Sequence, residues 1–209
     1  VDEQRIPGAA AAVTLPGRST YWLSAGFEDL TAMRGMSSNG RFLIYSITKI
    51  YLAATVLRLA QQHKLALHDP LSSWCPEIDV PATITVRHLL NHTSGLPDYG
   101  SLASYQQAVE GEPKEPWSFD EFLRQTWKGD LAFEPGTGWL YSNIGYMLLG
   151  RIIERAACNS LAHALTTEIL SPLRLDATLL VSEPAQLQSL VPGYGKTPAK
   201  NGMKDFREW

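Results

Sequence analysis

The sequence has few cysteines and no cluster of basic residues. Its two cysteines, Cys75 and Cys158, are far apart and show neither C-x-x-C nor Cys/His ligand spacing, so a zinc site is not supported. They are either buried thiols or the two halves of one disulfide. The net charge is −3 and lysines and arginines are scattered, which argues against nucleic acid or an anionic membrane surface as a partner.

The sequence also lacks long apolar runs and internal repeats. Lys, Arg or His interrupts every apolar stretch well short of the roughly 20 residues that a membrane-spanning helix needs. With 44% apolar and 19% charged residues, the chain is predicted to be globular, as one domain or two small ones. It begins at Val1 without a methionine or a signal-type segment, from which we expect a processed or trimmed N-terminus.

Patterning predicts a protein with both strands and helices. Two strands, in residues 9–15 and 19–27, are predicted to form a hairpin with at least one buried face. Residues 98–118 are predicted to be a surface excursion. Helices are predicted in five segments, namely 46–62, 84–90, 119–127, 145–157 and 161–170.

Ser46-Ile47-Thr48-Lys49 places a hydroxyl and an amine three residues apart at the start of an apolar helix. Residues three apart share a helix face, so Ser46 and Lys49 can touch. The following residues are apolar on nearly all sides, which predicts a buried helix and a desolvated Lys49 that is a candidate base. A serine beside such an amine is the minimal apparatus for covalent acyl transfer. The alternative is a serine N-cap followed by a solvated lysine.

Tyr141-Ser142-Asn143 is a second motif, between a Pro-Gly loop and a predicted helix. Helix capping accounts for Ser142 or Asn143, since both residue types satisfy free N–H groups at a helix start. Capping gives Tyr141 no role. A phenol near a lysine can share a proton with a nucleophile and pass it to a leaving group, as acyl transfer requires.

A histidine and two aromatic residues are weaker candidates. His92 suggests a Ser-His pair, but the chain has no G-x-S-x-G turn to carry the serine. We therefore expect His92 to fix its loop by hydrogen bonds. Trp139 and Tyr99 are equally compatible with a pocket wall and with the core.

In order and approximate spacing, these motifs resemble those of the serine β-lactamase and penicillin-binding-protein superfamily. More narrowly, they resemble its class C branch, which includes D-alanyl-D-alanine carboxypeptidases, D-aminopeptidases and family VIII esterases. The resemblance covers roughly residues 6 to 195. The matching segments are Ser46-Ile47-Thr48-Lys49 after Phe42, the turn from Leu89 to Pro97, Phe133-Glu134-Pro135-Gly136, and Tyr141-Ser142-Asn143 before Gly145-Tyr146.

The resemblance implies an α/β fold of the α+β type. An antiparallel sheet with flanking helices would accompany an all-helical domain, with the site between the two. Residues 1–60 would form the N-terminal part of the α/β domain, comprising the hairpin and the nucleophile helix. Residues 61–209 would form the mostly helical domain. A periplasmic or secreted location is implied by the family alone.

The resemblance also implies roles for individual residues. Ser46 would be the nucleophile, Lys49 its activating base, Tyr141 a proton relay, and Asn143 a hydrogen-bonding residue for the substrate's amide. Because the base of S-x-x-K enzymes is disputed, Lys49 and Tyr141 are best treated as one shared proton system. The Ser46 backbone N–H would form half of the oxyanion hole. No metal or cofactor is implied.

The family's third motif, K-T-G or H-x-G, does not occur in the chain. Lys196-Thr197-Pro198 begins like it, but proline lacks the N–H that a strand or an oxyanion site needs, and we predict a loop there. Nothing after Gly195 is predicted to supply the sheet's further strands. The chain thus resembles a piece of a longer enzyme. Three explanations are open: a partial sequence of the enzyme, a natural truncation, or a chain whose sheet is completed by a segment of a partner. We favour the first.

We predict a serine hydrolase that forms an acyl-enzyme on Ser46. Its substrate would be a β-lactam, a D-amino-acid peptide or amide, or a small ester, and pocket shape decides among these. The expected partner is this small-molecule or peptide substrate. A hypothesis of a different class is a non-catalytic penicillin-binding or sensing relative that lacks turnover because the third motif is absent.

Overall fold

A computed structural model describes residues 6–110, 117–181, 183–197 and 200–205. Contacts between Cα atoms divide the chain into two units. The first comprises residues 1–44 and 181–209, and the second comprises residues 45–180. These boundaries differ from the sequence-based ones in two places. The helix that follows Ser46 groups with the second unit, and residues 181–209 group with the first.

The first unit contains the predicted hairpin. Strand β1 (Gly8–Val13) pairs antiparallel with β2 (Tyr21–Asp29), and β2 pairs antiparallel with β3 (Arg34–Gly35). The expected buried face of the hairpin is wrong for the described residues. Trp22 and Leu23 point to opposite faces of β2, yet they are 60% and 62% exposed. The two apolar runs and the turn between them predicted the pairing, but burial needs a layer packed on the sheet.

A second sheet corrects two expectations for the C-terminal region. Strand β4 (Tyr194–Thr197) pairs antiparallel with β5 (Lys200–Asp205) and not with β1, β2 or β3. Lys196-Thr197 was expected in a loop, and no strand was expected after Gly195. Proline removes a ladder hydrogen bond only at its own position, so the residues before it remain free to pair. Pro198 itself lies outside the described residues.

The second unit is helical. The predicted helices are present within a few residues of their expected bounds. Helix α4 lies in residues 98–118, which were predicted to be a surface excursion and of which 111–116 lie outside the described residues. No helix in the described ranges is long and apolar enough to cross a membrane. The helices are α1 (Thr48–Gln61), α2 (Leu71–Trp74), α3 (Val86–Leu90), α4 (Ala103–Glu110), α5 (Phe119–Thr126), α6 (Asn143–Ala157) and α7 (Leu161–Leu165), which continues as a π-helix over Thr166–Leu170. A further helix, α8 (Pro184–Leu187), belongs to the first unit.

The core of the second unit forms where α1 packs on α6. The inward face of α6 carries fully buried leucine and isoleucine side chains, and Val56 and Leu59 of α1 are equally buried. All-round burial of α1 was expected and is wrong for the described residues, since Ile50 and Leu57 are 67% and 53% exposed. Only the side of α1 that contacts α6, α7 and the π-helix meets the core, as in an amphipathic helix.

Both cysteines are free thiols, which excludes the disulfide alternative. Cys75 is buried and burial raises the pKa of its thiol. Cys158 is exposed and ends α6 with a left-handed φ of 51°.

Candidate active site

Ser46 lies in the 3₁₀ turn Tyr45–Ile47 that leads into α1. The preceding residue, Tyr45, has a φ of 43°, a left-handed conformation that residues other than glycine rarely adopt. The chain thus turns sharply before Ser46, whose side chain is exposed. The N-cap of α1 is Ile47, without a side-chain cap. The alternative interpretation of Ser46 as the N-cap is therefore wrong.

Lys49, one turn further, is half-buried and points its amine at polar and aromatic groups. Its Nζ lies 3.3 Å from Ser46 Oγ and donates a 2.7 Å hydrogen bond to Asn143 Oδ1. The same Nζ is 4.9 Å from the ring centre of Tyr141 and 5.6 Å from that of Tyr146, within the range of cation–π attraction. These contacts exclude the alternative of a solvated surface lysine.

Tyr141 is the third group at the serine. Its hydroxyl donates to Ser46 Oγ over 2.8 Å. Burial raises the pKa of the Tyr141 phenol, but hydrogen bonding with Lys49 and Ser46 and the positive charge of Lys49 outweigh burial, so the pKa is lowered from its ordinary value of 10.0. A lowered pKa increases the fraction of phenolate, which can take a proton from a hydroxyl along the same hydrogen bond.

The start of α6 fixes the positions of Tyr141 and Asn143. Ser142 is the N-cap; its buried Oγ accepts from the Gly145 N–H at 3.1 Å and donates to the Pro97 carbonyl at 3.2 Å. The predicted capping role therefore belongs to Ser142. Asn143 is the first helical residue, and its side chain reaches Lys49. Contact of Asn143 with a substrate's amide stays a prediction.

His92 packs against the ring of Tyr141. Its Nδ1 accepts from the Ser142 N–H at 3.2 Å, which confirms the expected loop-fixing role. Its ring stacks on Tyr141 at 4.6 Å between centroids and lies 5.1 Å from Tyr146. Burial lowers the pKa of His92, and the charge of Lys49 lowers it further, against a smaller opposing effect of Asp98.

We expect His92 to make the stability of the protein depend on pH. Because the pKa of His92 is lowered from 6.5 in the folded state, the stabilisation is fully present above about pH 6.5 and is lost as pH falls through the folded pKa. His92→Asn keeps an acceptor for the Ser142 N–H and tolerates the left-handed φ of 62° at this position. Urea unfolding at about pH 7.5 and about pH 5 should show a smaller loss of unfolding free energy for His92→Asn than for the parent.

The control for this experiment is His163→Gln, which removes an exposed histidine in α7. It should leave the parent's pH dependence of stability unchanged. An identical pH dependence in His92→Asn and the parent would contradict the prediction.

The two aromatic candidates separate in the structure. Tyr99 packs against Tyr105 and Phe122 at centroid distances of 4.8 and 4.5 Å, and burial raises the pKa of Tyr99 to about 12. Tyr99 is therefore a partly buried residue that packs against the core. Trp139 is 66% exposed and meets His92 edge-on at 5.9 Å, so it lies beside the serine's tyrosine partner.

Asp98 is a residue of this cluster that the sequence analysis missed. Its Oδ1 accepts from the Asn143 backbone N–H at 2.7 Å, and its Oδ2 lies 3.3 Å from Asn143 Nδ2. An aspartate that directly follows a Ser-Gly-Leu-Pro turn is a capping signal. The turn motif from Leu89 to Pro97 stops one residue before it. Within the described ranges, no group of three or more His, Cys, Asp or Glu side chains could hold a metal ion.

Comparison with known proteins identifies relatives over the whole chain. The family profile described as Beta-lactamase matches residues 1–206. The chain is similar to Esterase EstB of Burkholderia gladioli, at 33% identity over 97% of this chain and 54% of the esterase. It is also similar to Penicillin-binding protein 4* of Bacillus subtilis, at 32% identity over 85% of this chain and 40% of that protein. The chain thus spans about half the length of the curated relatives it matches.

Solved structures of hydrolases share the fold of this chain. The D-amino acid amidase of Ochrobactrum anthropi SV3, complexed with L-phenylalanine amide, superposes with a TM-score of 0.81 at 28% identity, over 100% of this chain and 58% of that chain. EstCE1, described as a hydrolase with promiscuous acyltransferase activity, gives 0.75 at 26% identity over 98% and 55%. The expected fold, with its antiparallel sheet and helices, is confirmed. The profile match and the shared fold together show that this chain belongs to the Beta-lactamase family.

Proposed function

We propose that this chain carries the acyl-transfer site of a serine hydrolase, with Ser46 as the nucleophile. The observation that carries the proposal is the surroundings of Ser46 Oγ, which lies 2.8 Å from the Tyr141 hydroxyl and 3.3 Å from Lys49 Nζ. Both groups can exchange a proton with it, and the serine side chain is exposed. Relatives named as an esterase and as an amidase support hydrolysis as the reaction class.

In the proposed reaction, Ser46 and Tyr141 act as a nucleophile–base pair. The Ser46 proton passes to the Tyr141 phenolate as Oγ bonds to the substrate's carbonyl carbon. Lys49 favours this step because its hydrogen bond and its charge lower the pKa of Tyr141. The phenol then returns the proton to the departing oxygen or nitrogen as the carbonyl carbon–leaving-group bond breaks, which leaves an acyl group on Ser46. Water attacks this ester, and the Ser46 hydroxyl is restored.

The substrate class we propose is a small carboxylic acid derivative, namely an ester, a D-amino-acid amide or peptide, or a β-lactam. No step of the reaction requires a metal or cofactor. Asn143 is proposed to act on Lys49 first, since its Oδ1 accepts from that amine, and to contact the substrate's amide as well. We also propose a periplasmic or secreted location, which rests on the family alone.

The test uses protein expressed from its complete coding sequence and three probes: a fluorescent penicillin, a p-nitrophenyl ester of a short fatty acid, and D-phenylalanine amide. We expect an acyl adduct on the Ser46 peptide in mass spectrometry, with turnover of at least one probe. A Ser46 adduct without any turnover would favour the penicillin-binding alternative over a hydrolase. The absence of both an adduct and turnover with all three probes would contradict the proposal.

A further inference from the structure

Asp98 makes at least three hydrogen bonds within the described residues of the second unit. Its Oδ2 accepts from the Gly100 N–H at 3.1 Å, which caps the 3₁₀ turn Tyr99–Ser101. Its Oδ1 accepts from the backbone N–H at the start of α6, and Asn143 Nδ2 donates to its Oδ2. The first two bonds are those of an ordinary capping residue. The third reaches a side chain that contacts Lys49.

This third bond determines which way the Asn143 amide faces. An amide has one accepting oxygen and one donating NH₂ group, and its hydrogen-bond partners decide which end lies where. A carboxylate accepts hydrogen bonds only, so the NH₂ end of Asn143 must face Asp98. Its oxygen therefore faces Lys49, where it accepts the 2.7 Å hydrogen bond from Nζ.

We infer that Asp98 is a positioning residue for acylation of Ser46, an inference that rests on the proposed function. Asp98 locks the Asn143 amide in the one orientation whose oxygen holds Lys49 Nζ beside Ser46 Oγ. With this amide reversed, two donors, the amide NH₂ and the amine, would face each other. Lys49 would then lose its 2.7 Å partner and its fixed distance to the serine.

Asp98→Asn leaves one accepting oxygen where the carboxylate had two. The 2.7 Å bond from the Asn143 backbone N–H is the shorter of the two bonds to Asn143, so we expect the oxygen to take the place of Oδ1 and to keep the start of α6 capped. The introduced NH₂ group then takes the place of Oδ2, where it no longer caps Tyr99–Ser101 and faces the NH₂ group of Asn143. The Asn143 amide must reverse to accept, and this turns a donor toward Lys49. The lost cap of Tyr99–Ser101 does not contact Lys49, and it stays lost in the double variant Asp98→Asn/Asn143→Asp, which restores an acceptor for Lys49. We expect the second-order rate constant of Ser46 acylation to fall about 10- to 100-fold, a loss typical of misplaced catalytic groups.

Adding Asn143→Asp to Asp98→Asn provides a rescue that capping alone does not predict. The carboxylate introduced at position 143 offers an oxygen to Lys49 whichever way it turns, and its other oxygen accepts from the amide introduced at position 98. We expect the double variant to acylate about tenfold faster than Asp98→Asn, consistent with strong coupling between contacting residues.

The matched control is Asp69→Asn. Asp69 also stabilises a turn of the second unit, where its Oδ2 accepts from the Ala66 N–H at 2.7 Å and from Trp74 Nε1 at 3.1 Å, and it has no contact with Ser46, Lys49 or Asn143 in the described structure. We expect its acylation rate to stay within about twofold of the parent, as usual for a site distant from the reacting groups.

The experiment measures labelling of full-length protein by the fluorescent penicillin or the p-nitrophenyl ester, with melting temperatures as a check on folding. Acylation of Asp98→Asn within twofold of the parent, or no gain in the double variant, would overturn the inference alone. An unlabelled parent would overturn the proposed function and the inference together.

If Asp98→Asn does not fold, the single variant Asn143→Asp tests the inference instead. Its two facing carboxylates bind a shared proton more readily as pH falls, so its rate relative to the parent should rise toward low pH, and a flat ratio would overturn the inference.

Discussion

Ser46→Ala is expected to abolish covalent labelling and to lower kcat/KM by about 10⁴-fold or more, the range found when the nucleophile of a serine enzyme is removed. The loss should be this large because Tyr141 and Lys49 both direct their hydrogen bonds to Ser46 Oγ, and the chain's other described contacts offer them no second hydroxyl. Folding should be unaffected, since the side chain is exposed and does not cap α1. Intact-mass spectrometry after incubation with the fluorescent penicillin and the ester measures the labelling directly.

Ser73→Ala is the matched control for this prediction, because Ser73 is an exposed serine in α2. Its labelling and turnover should equal those of the parent. An adduct that persists in Ser46→Ala would place the reactive group elsewhere in the protein and would contradict the nucleophile assignment.

Lys49→Ala is expected to lower kcat/KM by about 10³-fold and to raise the pKa of Tyr141. Removing the amine removes both its hydrogen bond and its charge, which lower the pKa of Tyr141, and leaves burial, which raises it. The ascending limb of the pH–rate profile should therefore move to higher pH. Ultraviolet difference titration of Lys49→Ala against Lys49→Ala/Tyr141→Phe isolates this phenol among the eight tyrosines of the chain.

Two further variants sharpen this prediction. Lys49→Arg retains a positive charge, so it should keep the pKa of Tyr141 lowered. Its larger, planar guanidinium cannot reproduce the 2.7 Å contact of the amine with Asn143 Oδ1 and the 3.3 Å distance to Ser46 Oγ, so activity should still fall. Lys64→Ala removes a surface lysine that lies 3.7 Å from Glu168 and should change neither quantity. A Tyr141 phenol that titrates identically in the parent and in Lys49→Ala would show that the amine does not control its proton.

Local spacing predicted the part of the site that depends on one helix turn. Ser46 and Lys49 meet because residues three apart share a face, and this follows from helix geometry alone. The approach of Asn143 to Lys49 spans 94 residues and depends on how α1 packs on α6. Spacing along the chain does not show that Asn143 and Lys49 are close. Their proximity was suggested only by the family resemblance that the order of the motifs carries.

Other features were hidden from the sequence for physical reasons. The left-handed φ at Tyr45 falls on a residue type that rarely adopts it, and no glycine at this position signals the turn in the sequence. The sequence around Asp98 indicates at most that it caps Tyr99–Ser101. Its bond to Asn143 joins residues 45 apart and depends on the fold, so the sequence does not place Asp98 at the site. The exposed faces of β1 and β2 were misjudged, since apolar and small residues indicate that a strand face can be buried but not whether anything packs on it.

The two ends of α6 differ in a way that experiments can use. The helix begins at Asn143 and ends beside Cys158, whose thiol is exposed while the thiol of Cys75 is buried. A thiol-reactive fluorophore would therefore attach at a single place, about 22 Å along the helix axis from the amide that holds Lys49. Such a label would report changes in the surroundings of this end of the helix without touching the reacting groups, and its signal could be followed during acylation.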